Sequence, residues 1–170
     1  SAVSSILMDT DSGRVLYAKN PHHIQSVASI SKIMTAIIAI ENTDIKKSVT
    51  IGNEISKAYG SGIYIKQGEV LTMEDLLYGL MLRSGNDAAL AIAHHTARSE
   101  EKFVELMNKK AQKLKMTDTI FNNPSGLDEK EFKGNFSSAY DMAILMSYAM
   151  QNKEFRKIVK TKTVKKTKKA

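Results

Sequence analysis

Residues 26–41, SVASISKIMTAIIAIE, predict the central element of this protein. After Lys32 the apolar residues recur so densely that a helix would be apolar around most of its circumference, which is typical of a buried helix. The apolar positions are Ile33, Met34, Ala36, Ile37, Ile38 and Ile40. The sequence therefore predicts a buried helix with Ser29 and Lys32 at its N-terminal end.

The segments on either side of this helix predict a mixed α and β architecture. Upstream, the β-type runs 3–9 and 14–18 flank the sequence TDSG at 10–13, which suits the tight turn of a hairpin. Downstream, residues 48–70 mix the β-type pieces SVTI, GIYIKQ and EVL with glycines that interrupt them. We therefore expect antiparallel strands beside a helical region.

Four further helices are predicted from apolar spacing and polar capping residues. Thr72, Ser99 and Ser138 each precede acidic residues in the first helical turn, as N-terminal caps do. The predicted helices run from Thr72 to about Arg83, over 88–97, from Ser99 through Leu114, and from Ser138 to about Met150. Residues 116–137 are predicted to be a long loop, and loops of that length are often functional.

The formal charge of +7 is concentrated at the C-terminus. Residues 156–170 hold eight basic residues and no acidic residue, which leaves residues 1–155 with a net charge of −1. We expect residues 1–155 to be part of one domain and residues 156–170 to be a basic tail. The β-type alternation of Ile158, Val159 and Val164 favours a solvated strand and turn. No aromatic residues are interleaved with the lysines, which argues against nucleic-acid binding.

Ser29 and Lys32 have the spacing S-x-x-K, which places both side chains on one face of a helix. A serine hydroxyl needs a nearby base to take its proton as it attacks a carbonyl carbon. A lysine can be that base when burial lowers its pKa, and the free N–H groups of a helix N-terminus can stabilise an adjacent oxyanion. By itself the spacing also fits an ordinary helix cap with an exposed lysine.

A second polar motif, Ser84-Gly85-Asn86, lies between two predicted helices, although its residues are also common in turns. S-x-x-K at a buried helix start together with a later S-x-N is a signature of penicillin-binding proteins and class A β-lactamases. The segments around the two motifs, and ILMDTDSGRVLYAKN and NNPSGLDE, resemble low-molecular-mass penicillin-binding proteins. These are serine-type D-alanyl-D-alanine carboxypeptidases, and Gly85 fits them better than class A β-lactamases.

The resemblance implies roles for four residues. Ser29 would attack the D-Ala-D-Ala amide of a peptidoglycan stem peptide, and Lys32 would be its base. Ser84 would relay a proton to the departing D-alanine, and Asn86 would hold the substrate amide and help to position Lys32. Water would then hydrolyse the acyl-enzyme. Penicillins and other β-lactam antibiotics would acylate Ser29, and no cofactor is expected.

The resemblance also implies the α+β fold of serine β-lactamases and transpeptidases, an antiparallel sheet beside a helical region that holds the cleft. The family's third motif, K-T-G, does not occur in the sequence, since the strings KTK at 160–162 and 166–168 lack the glycine. We therefore expect a fragment of a longer gene product with an incomplete sheet. Without the oxyanion and carboxylate-binding groups of that motif, it should be a very poor catalyst.

The family acts outside the cytoplasm, so we expect a protein of the bacterial cell envelope whose signal peptide has been removed. No stretch approaches the roughly 18 apolar residues of a membrane span, so no membrane anchor is expected in this chain. The histidines form two adjacent pairs, at 22–23 and 94–95. Helical neighbours point in different directions, so surface histidines are expected and no metal site.

Three alternatives stay open on sequence grounds. A β-lactamase would need a further carboxylate to activate water, and Glu129 and Glu131 are available in a context unlike that family's loop. A non-catalytic module would keep a muropeptide or penicillin pocket without turnover, which the absent third motif favours. An adaptor would bind anionic polymers through its basic tail, and removing residues 156–170 would abolish that binding without affecting acylation of Ser29.

Overall fold

The computed structural model describes residues 2–127 and 134–164. Its strands are β1 (Ser5–Met8), β2 (Val15–Lys19), β3 (Gln25–Ser26), β4 (Ser48–Thr50), β5 (Val70–Thr72) and β6 (Phe136–Ser137). Its helices are α1 (Lys32–Asn42), α2 (Met73–Arg83), α3 (Asn86–Ala97), α4 (Glu100–Lys113), α5 (Ala139–Gln151) and α6 (Lys153–Val159). Single 3₁₀ turns occur at Ala28–Ser31 and Asn53–Lys57.

Helix α1 is the centre of the molecule, as its sequence predicts. The first eight residues of α1, Lys32 to Ala39, are all buried, and the helix contacts the five other helices. The 3₁₀ turn at Ala28–Ser31 leads directly into α1, so Ser29 lies just before the helix and Lys32 is its first residue. Burial of α1 therefore fixes the position of both residues of the first motif.

The predicted N-terminal hairpin is confirmed. Strands β1 and β2 pair antiparallel with Ser5 opposite Lys19, and Gly13 in the turn has a φ of +70°. Strand β1 packs against α5, whereas Leu7, Leu16 and Tyr17 stay exposed. The hairpin thus leaves apolar side chains uncovered, as expected for an isolated pair of strands.

The remaining strands form two more small antiparallel sheets, β4 with β5 and β3 with β6. The β3–β6 pair was not predicted, and it ties residue Ser26, three positions before the nucleophile candidate, to Phe136 in the long loop. The predicted strand in GIYIKQ, residues 62–67, is wrong. Here the N–H groups of Ile63 and Ile65 bond to the Asp87 carboxylate of α3, not to a neighbouring strand.

Capping residues set the helix starts as predicted. Thr72 forms a capping box with Asp75: the Thr72 hydroxyl accepts from the Asp75 N–H at 3.0 Å, and the Asp75 carboxylate accepts from the Thr72 N–H at 3.0 Å. The Ser99 and Ser138 hydroxyls accept backbone N–H groups in the same way, from Lys102 and Asp141. These local bonds explain why the starts of α2, α4 and α5 were predictable.

The expected β-type character of Ile158 and Val159 is wrong, because both belong to α6. The Asn152 side chain caps this helix by accepting from the N–H groups of Glu154 and Phe155. Phe155 and Ile158 are fully buried in the common core. The packed body therefore extends beyond residue 155, into the first part of the predicted tail. Residues 165–170 lie outside the described part of the chain.

Candidate active site

The structure brings Ser29 and Lys32 together. Lys32 Nζ donates a hydrogen bond to Ser29 Oγ at 3.2 Å. Ser29 is exposed, whereas the Lys32 side chain is only 2% exposed. A solvent-accessible hydroxyl next to a buried amine is the arrangement that a serine nucleophile and its base require.

The Lys32 amine is surrounded by acceptors from three separate segments. Besides Ser29 Oγ it donates to Asn86 Oδ1 at 2.8 Å and to the Ser125 backbone carbonyl at 2.5 Å. No carboxylate is among these partners, and burial lowers the pKa of Lys32 from its ordinary value to about 8. A lysine with this pKa is partly neutral near physiological pH, so it can accept the serine proton.

Asn86 is held so that its two amide atoms serve different partners. It is the first residue of α3, and its Nδ2 donates to the Tyr59 carbonyl at 2.7 Å while its Oδ1 accepts from Lys32. A reversed amide would place Nδ2 against the Lys32 amine and Oδ1 against the Tyr59 carbonyl, losing both bonds. The structure therefore places the Asn86 side chain against the Lys32 amine, and its predicted roles in positioning Lys32 and holding the substrate stay predictions.

Ser84 occupies the end of α2 in a left-handed conformation with a φ of 54°. Its side chain is half-buried, and in the described part of the chain no hydrogen bond joins it to Ser29 or Lys32. Only Ser84 and Gly85 separate α2 from α3, so the second motif is a turn followed by a helix start. The proton-relay role of Ser84 stays a prediction.

The sequence predicted the loop at 116–137, but not that a backbone carbonyl of this loop is the third acceptor of Lys32. Asn123 Oδ1 accepts from the N–H groups of Ser125 and Gly126, at 3.1 and 2.7 Å. Asn135 Oδ1 in turn accepts from the N–H groups of Asn122 and Asn123. These two buried asparagines shape the loop so that the Ser125 carbonyl points at Lys32. A backbone acceptor cannot be recognised from side-chain types. The stretch NNPSGLDE, which contains Ser125, indicated only that this part of the loop resembles the family.

Gly126 fits this loop against the turn that carries Ser29. It has a φ of +77°, and a Cβ added to it would lie 1.9 Å from the Ala28 carbonyl oxygen. Ala28 is itself left-handed at φ 43°, and its carbonyl accepts the Ser31 hydroxyl at 2.6 Å. The backbone at Ala28, just before the nucleophile candidate, is therefore fixed by the packing of Gly126 and by the hydrogen bond from Ser31.

The histidines lie away from this cluster. His22, His23 and His94 are exposed as predicted, whereas His95 is half-buried. His22 Nδ1 is 2.8 Å from the Asp118 carboxylate, which lowers the pKa of Asp118. Over residues 2–127 and 134–164 no group of three or more metal-ligating side chains is present. Glu129 and Glu131, considered above for a β-lactamase, lie outside those residues.

Comparison with known proteins identifies the family of this chain. The family model described as D-alanyl-D-alanine carboxypeptidase matches residues 1–170. The chain is 40% identical over 165 residues to the D-alanyl-D-alanine carboxypeptidase DacF of Bacillus subtilis, covering 94% of this chain and 42% of DacF. It is 38% identical over 155 residues to DacD of Escherichia coli, covering 85% of this chain and 39% of DacD. The chain thus spans about two fifths of these relatives.

Solved structures give the same result for the fold. Penicillin-binding protein 6B of Escherichia coli superposes with a TM-score of 0.88 at 33% identity, covering 95% of this chain and 54% of that one. A D-alanyl-D-alanine carboxypeptidase of Mycobacterium tuberculosis gives 0.87 at 34% identity, covering 92% and 59%. The Streptomyces K15 DD-transpeptidase gives 0.87 at 33% identity, covering 95% and 65%. The fold is therefore of the penicillin-binding and transpeptidase type.

The matched family, the relatives and the Ser29–Lys32–Asn86 cluster support one assignment. The family match spans every residue of the chain, and the curated relatives exceed 30% identity over most of it. This chain belongs to the D-alanyl-D-alanine carboxypeptidase family.

Proposed function

We propose that this chain carries the acylation site of a serine D-Ala-D-Ala carboxypeptidase, which removes the terminal D-alanine of peptidoglycan stem peptides. The observation that carries the proposal is the buried amine of Lys32, which lies 3.2 Å from Ser29 Oγ and whose hydrogen-bond partners among the described residues are all neutral. Such an amine can take a proton from serine near neutral pH, and an exposed lysine paired with a carboxylate would not.

The proposed reaction proceeds in two halves. Ser29 Oγ bonds to the carbonyl carbon of the penultimate D-alanine while Lys32 takes the hydroxyl proton. The carbon–nitrogen bond then breaks, and Ser84 relays the proton held by Lys32 to the leaving amine of the terminal D-alanine. In the second half a water molecule attacks the ester, the bond to Ser29 Oγ breaks, and Ser29 regains its proton.

Asn86 and the Ser125 carbonyl have a positioning role in this scheme. Their acceptor atoms lie 2.8 and 2.5 Å from Lys32 Nζ and direct it towards Ser29. A fixed donor–acceptor geometry removes the need to orient the base during the reaction. We also propose that the Asn86 amide contacts the substrate, as the resemblance implies.

The same chemistry applies to β-lactam antibiotics. Ser29 would attack the carbonyl carbon of the ring amide, and the carbon–nitrogen bond of that amide would break. Because this bond is part of a ring, the nitrogen stays attached to the acyl group through the other ring atoms. We propose that penicillins form a covalent adduct on Ser29. We further propose that the protein works in the cell envelope after export. In the described residues, no helix is both long and apolar enough to cross a bilayer.

A second candidate function is a binding module without turnover. The sequence contains no Lys-Thr-Gly motif, and the chain spans about two fifths of its curated relatives. We propose that the chain is the N-terminal part of a carboxypeptidase domain and that, on its own, it turns over slowly. Loss of one oxyanion donor alone lowers turnover by about 10²–10³.

Release of D-alanine distinguishes these two functions. The chain, incubated with an N-acylated tripeptide ending in D-Ala-D-Ala, should release free D-alanine slowly, and Ser29→Ala should release none. The matched control substrate ends in D-Ala-L-Ala and should stay intact. Release that is equal in wild type and Ser29→Ala contradicts the proposal. If neither protein releases D-alanine while wild type still forms a penicillin adduct, the chain is a binding module.

Acylation by benzylpenicillin should accelerate as pH rises to about 8 and then level off. Only the neutral Lys32 amine accepts the Ser29 proton, and below its pKa the neutral fraction falls about tenfold per pH unit. Intact-protein mass spectrometry at short reaction times gives the rate at each pH. A rate that is the same on both sides of pH 8 contradicts the assignment of Lys32 as the base.

A further inference from the structure

Asp87 is a buried carboxylate to which the reaction scheme above gives no role. It is the second residue of α3 and only 6% exposed. Its two oxygens accept the Ile63 N–H at 3.1 and 3.2 Å, the Ile65 N–H at 3.2 Å and the Ala88 N–H at 2.8 Å. Two of these donors lie on residues 59–65, which we call the rim segment.

The rim segment is bent around this carboxylate. Tyr64, between the two bonded residues, has a φ of 57° and is 77% exposed. A non-glycine residue keeps such a conformation only where its surroundings impose it. A Cβ added to Gly62 would lie 3.2 Å from Asp87 Oδ2, so the backbone passes close to the carboxylate there as well.

The rim segment also holds Asn86. The Tyr59 carbonyl accepts Asn86 Nδ2 at 2.7 Å, and the Ser61 carbonyl accepts the Asn86 backbone N–H at 2.8 Å. Asn86 Oδ1 is thereby turned towards Lys32 Nζ. Hydrogen bonds thus run from Asp87 to the rim segment, from there to Asn86, and from Asn86 to Lys32.

We propose that Asp87 is a positioning residue of the active site. Its carboxylate locks the rim segment against the start of α3, and the locked segment keeps the Asn86 oxygen directed at Lys32. The proposal deepens the proposed function, because it rests on the assignment of Lys32 as the base.

A purely structural role is the competing explanation. A carboxylate in the first turn of a helix stabilises that helix through its free N–H groups, and the bond to Ala88 N–H is of this kind. Asp75 offers a matched control, because it is an acidic residue in the first turn of α2 that accepts the N–H of Thr72 and not an N–H of the rim segment.

The test compares Asp87→Asn, Asp87→Glu and Asp75→Asn with the wild-type chain by NMR. Hydrogen exchange of the Ile63 and Ile65 amides reports on the rim segment, and titration of the Lys32 side chain reports on the base. In Asp87→Asn one acceptor oxygen becomes a donor, so both amides should exchange at least about tenfold faster. The Lys32 midpoint should rise towards its ordinary value, because water that enters beside the loosened rim segment relieves the burial that lowers this pKa.

Asp87→Glu keeps the carboxylate, so the amide exchange rates and the Lys32 midpoint should lie closer to their wild-type values than in Asp87→Asn. Asp75→Asn should change neither readout. Gly62→Ala is a second, milder variant, because its methyl group would lie 3.2 Å from Asp87 Oδ2 and displace the carboxylate without removing it. It should shift both readouts in the same direction as Asp87→Asn does. It replaces Asp87→Asn if that protein does not fold. Faster amide exchange with an unchanged Lys32 midpoint would overturn the proposal. So would an equal Lys32 shift in Asp75→Asn, or unprotected Ile63 and Ile65 amides in wild type.

Neither readout needs Ser29 to react. If the wild-type chain forms no penicillin adduct while the Ile63 amide and Lys32 respond to Asp87→Asn as expected, the proposed function fails and the positioning of the amine by Asp87 stands. If the adduct forms and Lys32 does not respond, the proposed function stands and the role of Asp87 is wrong.

Discussion

Lys32→Met will lower the rate at which benzylpenicillin acylates Ser29 by about 10²–10⁴, the usual contribution of a general base. Methionine keeps the length and apolar stem of lysine but has no amine to receive the serine proton. It also leaves Asn86 Oδ1 and the Ser125 carbonyl without the donor they now share. The rate of adduct formation, followed by intact-protein mass spectrometry, measures the effect.

Lys110→Met is the matched control for this substitution. Lys110 is also shielded in part from solvent, but unlike Lys32 it pairs with a carboxylate, that of Glu41. This pairing raises the pKa of Lys110. It lies on α4, apart from the Ser29 cluster, so its loss should leave acylation unchanged. Near-wild-type acylation of Lys32→Met, or equal losses in both variants, would contradict the account of the base.

Gly126→Ala will both destabilise the protein and disrupt acylation. The new methyl group would lie 1.9 Å from the Ala28 carbonyl oxygen and 2.4 Å from Ser31 Oγ, and the φ of +77° disfavours alanine. Strain and overpacking together should cost about 2–5 kcal/mol in the free energy of unfolding. Displacing the turn before Ser29 by even about 1 Å can slow the reaction by about 10².

Gly13→Ala is the control that measures the effect of backbone strain alone, without any contact at the active site. Gly13 has a similar φ of +70°, but nothing lies within 4 Å of an added Cβ. Its substitution should cost about 1–2 kcal/mol and leave acylation intact. Urea unfolding and the adduct assay, run on both variants, measure the two effects. If Gly126→Ala behaves like Gly13→Ala, the loop does not hold the nucleophile turn.

The parts of the fold that could be predicted depend on neighbouring residues. The dense apolar run after Lys32 identified α1, and the caps at Thr72, Ser99 and Ser138 identified the starts of three more helices. The hairpin followed from its turn sequence. In each case the residues that determine the element lie within a few positions of it.

The parts that could not be predicted depend on distant partners. Residues 62–67 have a strand-like composition, but Asp87, more than twenty positions later, takes up the N–H groups of Ile63 and Ile65. The same holds for the site. Ser29, Lys32 and Asn86 have motif spacing, whereas the Ser125 carbonyl is a backbone atom brought to Lys32 by the folding of a loop.

The described residues bring together the groups that we propose for attack on the substrate carbonyl. The proposed nucleophile comes from the turn at Ala28–Ser31 and the proposed base from α1. The acceptors around the base come from α3 and from the loop at Ser125. The absent Lys-Thr-Gly motif would add carboxylate recognition and an oxyanion donor, as the resemblance implies. Turnover needs acylation and deacylation in every cycle, whereas one slow acylation event leaves a lasting adduct, so the penicillin adduct should be easier to detect than release of D-alanine.

The most direct measurement is the intact mass of the chain after incubation with benzylpenicillin, for wild type beside Ser29→Ala. We expect wild type to gain the mass of one benzylpenicillin and Ser29→Ala to gain none. Peptide mapping should place the added mass on the peptide that contains Ser29. An equal adduct on Ser29→Ala, or no adduct on wild type, would contradict the central claim that Ser29 is a nucleophile activated by Lys32.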